Sequence, residues 1–332
     1  MHHMYTVGLD VDKYNLVFTI KILLYAGNSF INNSFIFFTN ETIYLLQIYL
    51  EGQSAGNFSI STRATAVAKD TYKKLPEISE HRSKPYKNLS DEELGYFLAG
   101  LIEGAGSFKK KKLQILFTRN DRQLAHYIKS RIGYGNISYI EDKDALEYIC
   151  KHRKGLFYIL SLINGKLVDN SKYEEMILYN YSENYNINIL PPIKRLSMDN
   201  HWLCGFTQVN GSFYINIVKS KNIKTGYSIR LEYSLKNNSN LPLKLIYYQL
   251  KKGKIYQCNT GWCYKSSGYK TAIKLIDYFE KYSLFGQKYT SYLKFRKVYI
   301  MITKGKHLED KGIKKIISIA TKGSSETSTQ EV

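Results

Sequence analysis

The sequence predicts an α+β chain made of two similar units in tandem. Three observations lead there. The segment Leu98-Ala99-Gly100-Leu101-Ile102-Glu103-Gly104-Ala105-Gly106 returns in weaker form as Leu203-Cys204-Gly205-Phe206-Thr207-Gln208-Val209-Asn210-Gly211, with the closing glycines 105 residues apart. Each copy is followed by Ser-Phe, at Ser107-Phe108 and Ser212-Phe213. Beyond each copy the apolar period changes from helical to alternating, the mark of half-buried strands. With 332 residues and 44% hydrophobic composition, the chain can bury more than one core.

The two copies read as helices. Ser90 precedes Asp91-Glu92-Glu93, a capping box with acids on the first turn. Leu94, Phe97, Leu98, Leu101 and Ile102 then form one apolar face. The other side carries Gly100 and Gly104. Glycine costs about 1 kcal/mol in a helix interior relative to alanine, so close approach of another backbone is the expected compensation. In the second copy Ser197 is the candidate cap, Trp202, Leu203 and Phe206 are apolar, and Gly205 stands where Gly100 stands. The expectation is two helices packed at Gly100, Gly104 and Gly205 about a pseudo-twofold.

The remaining elements follow in order. Residues 13–50 are apolar in patches, but no window of 18 uninterrupted apolar residues occurs, so no stable membrane span is expected. Residues 52–88 read as linker, and the folded region is expected to start near Leu89. Residues 109–118 alternate as a strand, with Lys112, Gln114 and Thr118 on the polar face. Residues 121–132 read as a helix ended by Gly133 and Gly135. Strands are expected at 136–140 and 146–150 and a helix at 155–162. Residues 171–194 read as a connector. The second unit repeats the plan: strands at 213–217 and 229–235, a basic hairpin tip at 219–224, a helix at 241–250, strands at 254–257 and 262–265, and a helix at 271–282. A polar tail closes the chain at 321–332.

Forty-eight Lys and Arg against 28 Asp and Glu leave a net charge of +20. A chain this basic is suited to polyanions, although abundant Lys, Asn, Ile and Tyr also follow from A+T-rich coding. Candidate nucleic-acid contacts on the predicted strands and their ends are Lys110, Lys112, Gln114, Thr118, Arg119, Asn216, Lys219, Lys221, Ser228, Arg230, Lys236 and Lys265. Basic side chains of that kind bind phosphates, and Gln, Asn and Ser reach base edges. The plain alternative for each is a solvated sheet face. Cys150, Cys204, Cys258 and Cys263 are too scattered for a disulfide framework or a zinc site. They are expected to be reduced thiols, with Cys258 and Cys263 close enough to meet across a hairpin.

The segments LAGLIEGAGSF and LCGFTQVNGSF resemble the paired signature of the LAGLIDADG homing endonucleases and maturases in their single-chain form. Supporting segments include Ile132-Gly133-Tyr134-Gly135-Asn136-Ile137, Leu162-Ile163-Asn164-Gly165-Lys166 and Tyr292-Leu293-Lys294-Phe295-Arg296-Lys297. The resemblance implies tandem αββαββα repeats over 89–170 and 195–320, pseudo-twofold symmetry, and a saddle-shaped antiparallel sheet on which nucleic acid lies. It also implies an acid just before each closing glycine, the two together holding divalent metal. Here those positions are Ala105 and Asn210. Hard cations need anionic oxygen ligands. Alanine supplies none and asparagine only a neutral one. Glu103 and Gln208 are the neighbouring candidates, but two residues along a helix is about 200° of rotation, so they point elsewhere. No metal is expected, or Mg²⁺ only if nuclease activity is retained.

His2-His3-Met4-Tyr5-Thr6-Val7-Gly8-Leu9-Asp10-Val11-Asp12 is similar to a piece of cytochrome c oxidase subunit I, and the similarity stops after Asp12. An exon running in frame into an intron's reading frame has this appearance. It implies a mitochondrial genome and the mitochondrial matrix, with the histidines as passengers. The functional expectations are three. The first is a maturase that acts as a monomer on its host group I intron RNA, with host splicing cofactors possible. The second is an endonuclease cutting an intronless DNA target. The third is a degenerate remnant with only non-specific nucleic-acid affinity, or a structural component of a larger mitochondrial particle.

Overall fold

The computed structural model describes residues 76–81 and 88–321, apart from Asn222 and Thr260. The oxidase-like segment, the apolar patches of 13–50 and most of the tail lie outside the described residues. Among those described, no helix is long and apolar enough to cross a membrane.

The first unit runs α1 (Asp91–Ala105), β1 (Gly106–Lys109), β2 (Lys112–Thr118), α2 (Arg122–Ile132), β3 (Asn136–Ile140), β4 (Ala145–Cys150) and α3 (Arg153–Ile163). Helices α4 (Asn170–Leu178) and α5 (Tyr181–Tyr185) come next. The second unit runs α6 (Trp202–Asn210), β5 (Gly211–Lys219), β6 (Tyr227–Asn237), α7 (Leu241–Leu250), β7 (Lys254–Cys258), β8 (Gly261–Ser267) and α8 (Tyr269–Lys281). It is followed by α9 (Gly286–Thr303) and α10 (Asp310–Thr321). Each unit is thus αββαββα. Each builds a four-stranded antiparallel sheet of the same order, β1-β2-β4-β3 and β5-β6-β8-β7.

Local chemistry explains these elements. Ser90 Oγ accepts from the Glu93 amide while Glu93 accepts from the Ser90 amide, closing a capping box on α1. The strands alternate: Leu113, Ile115 and Phe117 are buried on one side of β2, and Ile229, Leu231, Tyr233 and Leu235 on one side of β6. Tyr148 and Tyr264 donate their hydroxyls to the carbonyls of Tyr134 and Lys252, both at 2.6 Å. Beside those rings Gly135 (φ 107°) and Gly253 (φ 114°) adopt a backbone that favours glycine, and a Cβ at either would lie within 2.6 Å of the ring. The same device recurs in both units.

Several elements depart from the sequence reading. Residues 109–118 are two strands, because Lys110 and Lys111 form the turn and Lys111 takes a positive φ of 55°. The expected connector is largely helical. Tyr181, buried there, donates to the carbonyls of Lys109 and Lys112 at 2.7 and 3.0 Å and so clasps the β1–β2 hairpin. Helix α6 begins at Trp202, whose amide is accepted by Asn200 Oδ1 at 2.9 Å, while Ser197 accepts from Asp199 instead. Part of the expected linker is anchored: Arg296 donates to Ser79 O at 2.6 Å and Tyr299 to Pro76 O at 3.1 Å. Cys258 and Cys263 are joined as a disulfide across the β7–β8 hairpin, with Cα atoms 6.1 Å apart, whereas Cys150 and Cys204 are buried free thiols.

Candidate nucleic-acid interface

Helices α1 and α6 form the seam between the units. A Cβ built on Gly100 would lie 2.0 Å from Trp202 O, and one on Gly205 would lie 1.9 Å from Phe97 O. The backbones therefore touch where glycine leaves room. Gly104 faces side chains instead: Val209 Cγ2 at 2.4 Å and Asn210 Nδ2 at 3.1 Å from its would-be Cβ. Both helices pass into strands without a loop, at Ala105–Gly106 and Asn210–Gly211. The helix ends consequently abut beside the first strand of each sheet.

The chemistry at those ends is sparse. Ala105 offers a methyl group. Asn210 Nδ2 donates to Asn237 Oδ1 at 3.4 Å, leaving one neutral carbonyl oxygen. Glu103 is buried in the seam. Its Oε1 accepts the amides of Val168 and Asp169 at 2.6 and 2.5 Å, and its Oε2 accepts Trp202 Nε1–H at 2.6 Å. Burial pushes its carboxyl up to about 8, against those three hydrogen bonds, which act to lower it. Gln208 mirrors it. Its Oε1 accepts the Phe285 amide at 3.0 Å, and its Nε2 donates to Phe285 O and Asp121 Oδ1, both at 3.2 Å. Each residue thus ties its helix to the segment entering α4 or α9, so neither is a spare ligand. Lys288 donates to Gly211 O, and burial lowers its ammonium pKa against the pull of Asp121. Among the described residues no group of three His, Cys, Asp or Glu is gathered to hold a metal. The residues at 105 and 210 do not fit the divalent ion that the family resemblance implies.

The sheets offer open faces. Register puts Ser107, Lys109, Lys112, Gln114, Leu116 and Thr118 on the side of the first sheet away from its core. In the second sheet Tyr214, Asn216, Ser228, Arg230, Lys236 and Lys265 share the corresponding side. One carboxylate sits in each face, held by its neighbours. Glu147 accepts from Gln114 Nε2 and from Ser138 Oγ (3.2 Å). Glu232 accepts from Lys265 Nζ at 2.9 Å and Asn216 Nδ2 at 3.0 Å. The hydrogen bond that Lys265 donates to Glu232 raises the Lys265 pKa.

The predicted contact residues divide accordingly. Lys112, Gln114, Thr118, Asn216, Ser228, Arg230, Lys236 and Lys265 lie on the open faces, although Thr118 also donates to Asp121 at 2.7 Å. Lys110 and Lys221 are exposed at hairpin turns. Arg119 has left the sheet: it lies in a 3-10 turn and pairs with Asp144 at 3.4 Å. Lys219 falls on the other alternation, beside the hairpin tip. Sequence reasoning omitted Lys109, Lys254, Tyr214 and Tyr256. Reading 109–118 as one strand hides Lys109, and no face is assigned to the strand that carries Lys254 and Tyr256.

Paired glycine helices, tandem αββαββα units and two basic sheet faces define a single-chain, two-motif architecture. The family described as LAGLIDADG endonuclease matches residues 203–299. A Schizosaccharomyces pombe protein described as an uncharacterized cox1 intron-2 37.2 kDa protein is 35% identical over 89% of this chain and 94% of its own length. The Saccharomyces cerevisiae intron-encoded DNA endonuclease aI3 is 26% identical, over 64% of this chain and 65% of that one. The solved LAGLIDADG meganuclease I-AabMI, bound to uncleaved DNA, shares the fold with a TM-score of 0.56 and 23% identity, covering 68% of this chain and 97% of that one. The chain belongs to the LAGLIDADG family, and its relatives are intron-encoded.

Proposed function

We propose that this chain is a mitochondrial maturase: it binds and stabilises its host group I intron RNA, acts as a monomer, and does not cut. The carrying observation is the chemistry where α1 and α6 end. Ala105 and Asn210 supply no anionic ligand, and Glu103 and Gln208 are engaged in holding the seam. The basic open faces supply the electrostatic part of RNA binding, and host splicing cofactors are compatible with monomeric action. The similarity to a cox1 intron protein supports the mitochondrial matrix as the place of action.

The second reading is a DNA homing endonuclease. It is favoured by relatives named intron-encoded DNA endonucleases and would require Mg²⁺. Cleavage separates the two. A plasmid carrying the joined oxidase exons is incubated with Mg²⁺ or Mn²⁺ and either wild type or the A105D/N210E double variant. The maturase reading expects an inert wild type. Cutting by the double variant would show that target recognition on the sheets survives. Cleavage by wild type at the exon junction overturns the reading. Equal affinity for the intron and for control RNA of the same length would leave only a binding remnant.

A further inference from the structure

Helix α7 carries a surface that the sheet faces do not use. It buries Leu243, Ile246 and Leu250 against the core side of β6, β7 and β8. Its other side therefore faces away from the open face of the same sheet. There Tyr248 is 67% exposed and Tyr247 37% exposed, with their rings 5.9 Å apart at 69°. Lys244 lies three and four residues before them, and Lys251 and Lys252 follow at the end of the helix, all exposed. Residues 241–254 contain four lysines and no acid.

Two features separate this patch from ordinary helix surface. Lysines at a helix C-terminus are accounted for by the macrodipole, but that gives no reason to expose two adjacent tyrosines. The counterpart helix α2 has the same place in the first unit and turns its one tyrosine, Tyr127, toward Phe285 at 5.1 Å. The patch is also rigidly mounted. Gln249 donates to Leu196 O at 2.6 Å, and Lys274 donates to Leu250 O at 3.1 Å, tying down the end of the helix.

We infer that the outer face of α7 is a second nucleic-acid site, one that takes unpaired RNA nucleotides by stacking them on Tyr247 and Tyr248 while Lys244, Lys251 and Lys252 hold the phosphates. Every base has a face to stack, and aromatic side chains with interleaved cations are what single strands require. A folded RNA presents unpaired loops beside its helices, whereas a duplex DNA target does not, so RNA is the occupant that can engage this face and the sheet together. The inference deepens the maturase reading and rests on it.

The test is binding of the full-length chain to a fluorescent 12-nucleotide unstructured RNA, the same sequence as DNA, and the folded intron. The Y247A/Y248A variant is expected to weaken binding of the unpaired RNA by roughly five-fold or more, at about 5- to 160-fold per stacked base. Y247F/Y248F should retain affinity near wild type. K251Q/K252Q should lower the salt slope by about 1.4. Duplex DNA affinity and the unfolding midpoint report that the sheets and fold are intact. The inference is overturned if the alanine variant binds the RNA within two-fold of wild type, or if the tyrosine-dependent binding is stronger for the DNA oligonucleotide. Failure of the maturase reading looks different: tyrosine-dependent binding to unpaired RNA persists, but the folded intron is not preferred over control RNA.

Discussion

Replacing Gly205 by alanine loads the seam at its tightest point. The new Cβ would lie 1.9 Å from Phe97 O, where ordinary contact begins at 3.4 Å. Backbone cannot swing aside as a side chain can, so α1 and α6 must separate by more than about 1 Å. A gap of that size forfeits roughly a quarter to a half of each dispersion contact along the seam. Overpacking of well-filled cores costs about 1–3 kcal/mol and occasionally more, and a backbone clash belongs at or above the upper end. Taking about 4 kcal/mol and returning about 1 for the better helix former leaves about 3 kcal/mol. In urea, with a slope of about 2–3 kcal/mol per molar, the midpoint should fall by roughly 1 M, read by far-UV circular dichroism. G100A, whose Cβ would lie 2.0 Å from Trp202 O, should match it. G104A meets only Val209 and Asn210 side chains and should cost about 1 kcal/mol. Losses below about 0.5 kcal/mol for both G100A and G205A, or G104A as the worst of the three, would refute the close-packed seam.

Further outcomes follow from the same contacts. Trp202→Phe removes one donor from the buried Glu103 and should cost about 1–3 kcal/mol in chemical denaturation. Glu103 also sets a pH dependence. Its folded pKa of about 8 lies above the ordinary value of 4.5, so the folded state binds the extra proton and stability falls as pH rises between those values. His307 opposes this, since burial lowers its pKa from 6.5 to about 4 and stability rises through that window. Below pH 6.5 His307, together with His201 whose pKa burial also lowers, offsets Glu103. From pH 6.5 to 8 Glu103 contributes a loss of about 2 kcal/mol, at about 1.4 per pH unit, read as the difference in slope between wild type and E103Q. E103Q should start less stable and lose that slope; an unchanged slope would assign it elsewhere. R230Q and K236Q should each weaken duplex DNA binding and reduce the salt slope by about 0.9, measured by titration at several ionic strengths.

The two units, their order and most strand and helix positions were legible because the apolar periods are regular and the glycine helices repeat. Boundaries failed where local side chains compete. Asn200 rather than Ser197 holds the start of α6, and the two-lysine turn inside 109–118 leaves no glycine or proline to mark it. Helix α9 was not legible because apolar residues such as Leu293, Phe295, Val298 and Ile300 show no single stripe; it is buried on several sides, as Phe295, Arg296, Val298 and Ile300 show. The helix ends at 105 and 210 were legible from the motif. The engagement of Glu103 was not, because its partners Val168, Asp169 and Trp202 lie 65 to 99 residues away and contribute mainly backbone amides. Lys288 and Asp121, beside Gln208, gave no sequence signal for the same reason.

The helices that carry positions 105 and 210 enter their sheets without a loop. The closest contacts between those two helices lie upstream of those positions on the same rods: Gly100 against Trp202, Gly205 against Phe97, and the Trp202–Glu103 hydrogen bond. Two turns of helix therefore place the tightest packing and the end positions in series, with Asn210 touching both through Gly104. On the maturase reading the end positions change while the scaffold persists, and the A105D/N210E variant tests whether two side chains suffice for a return.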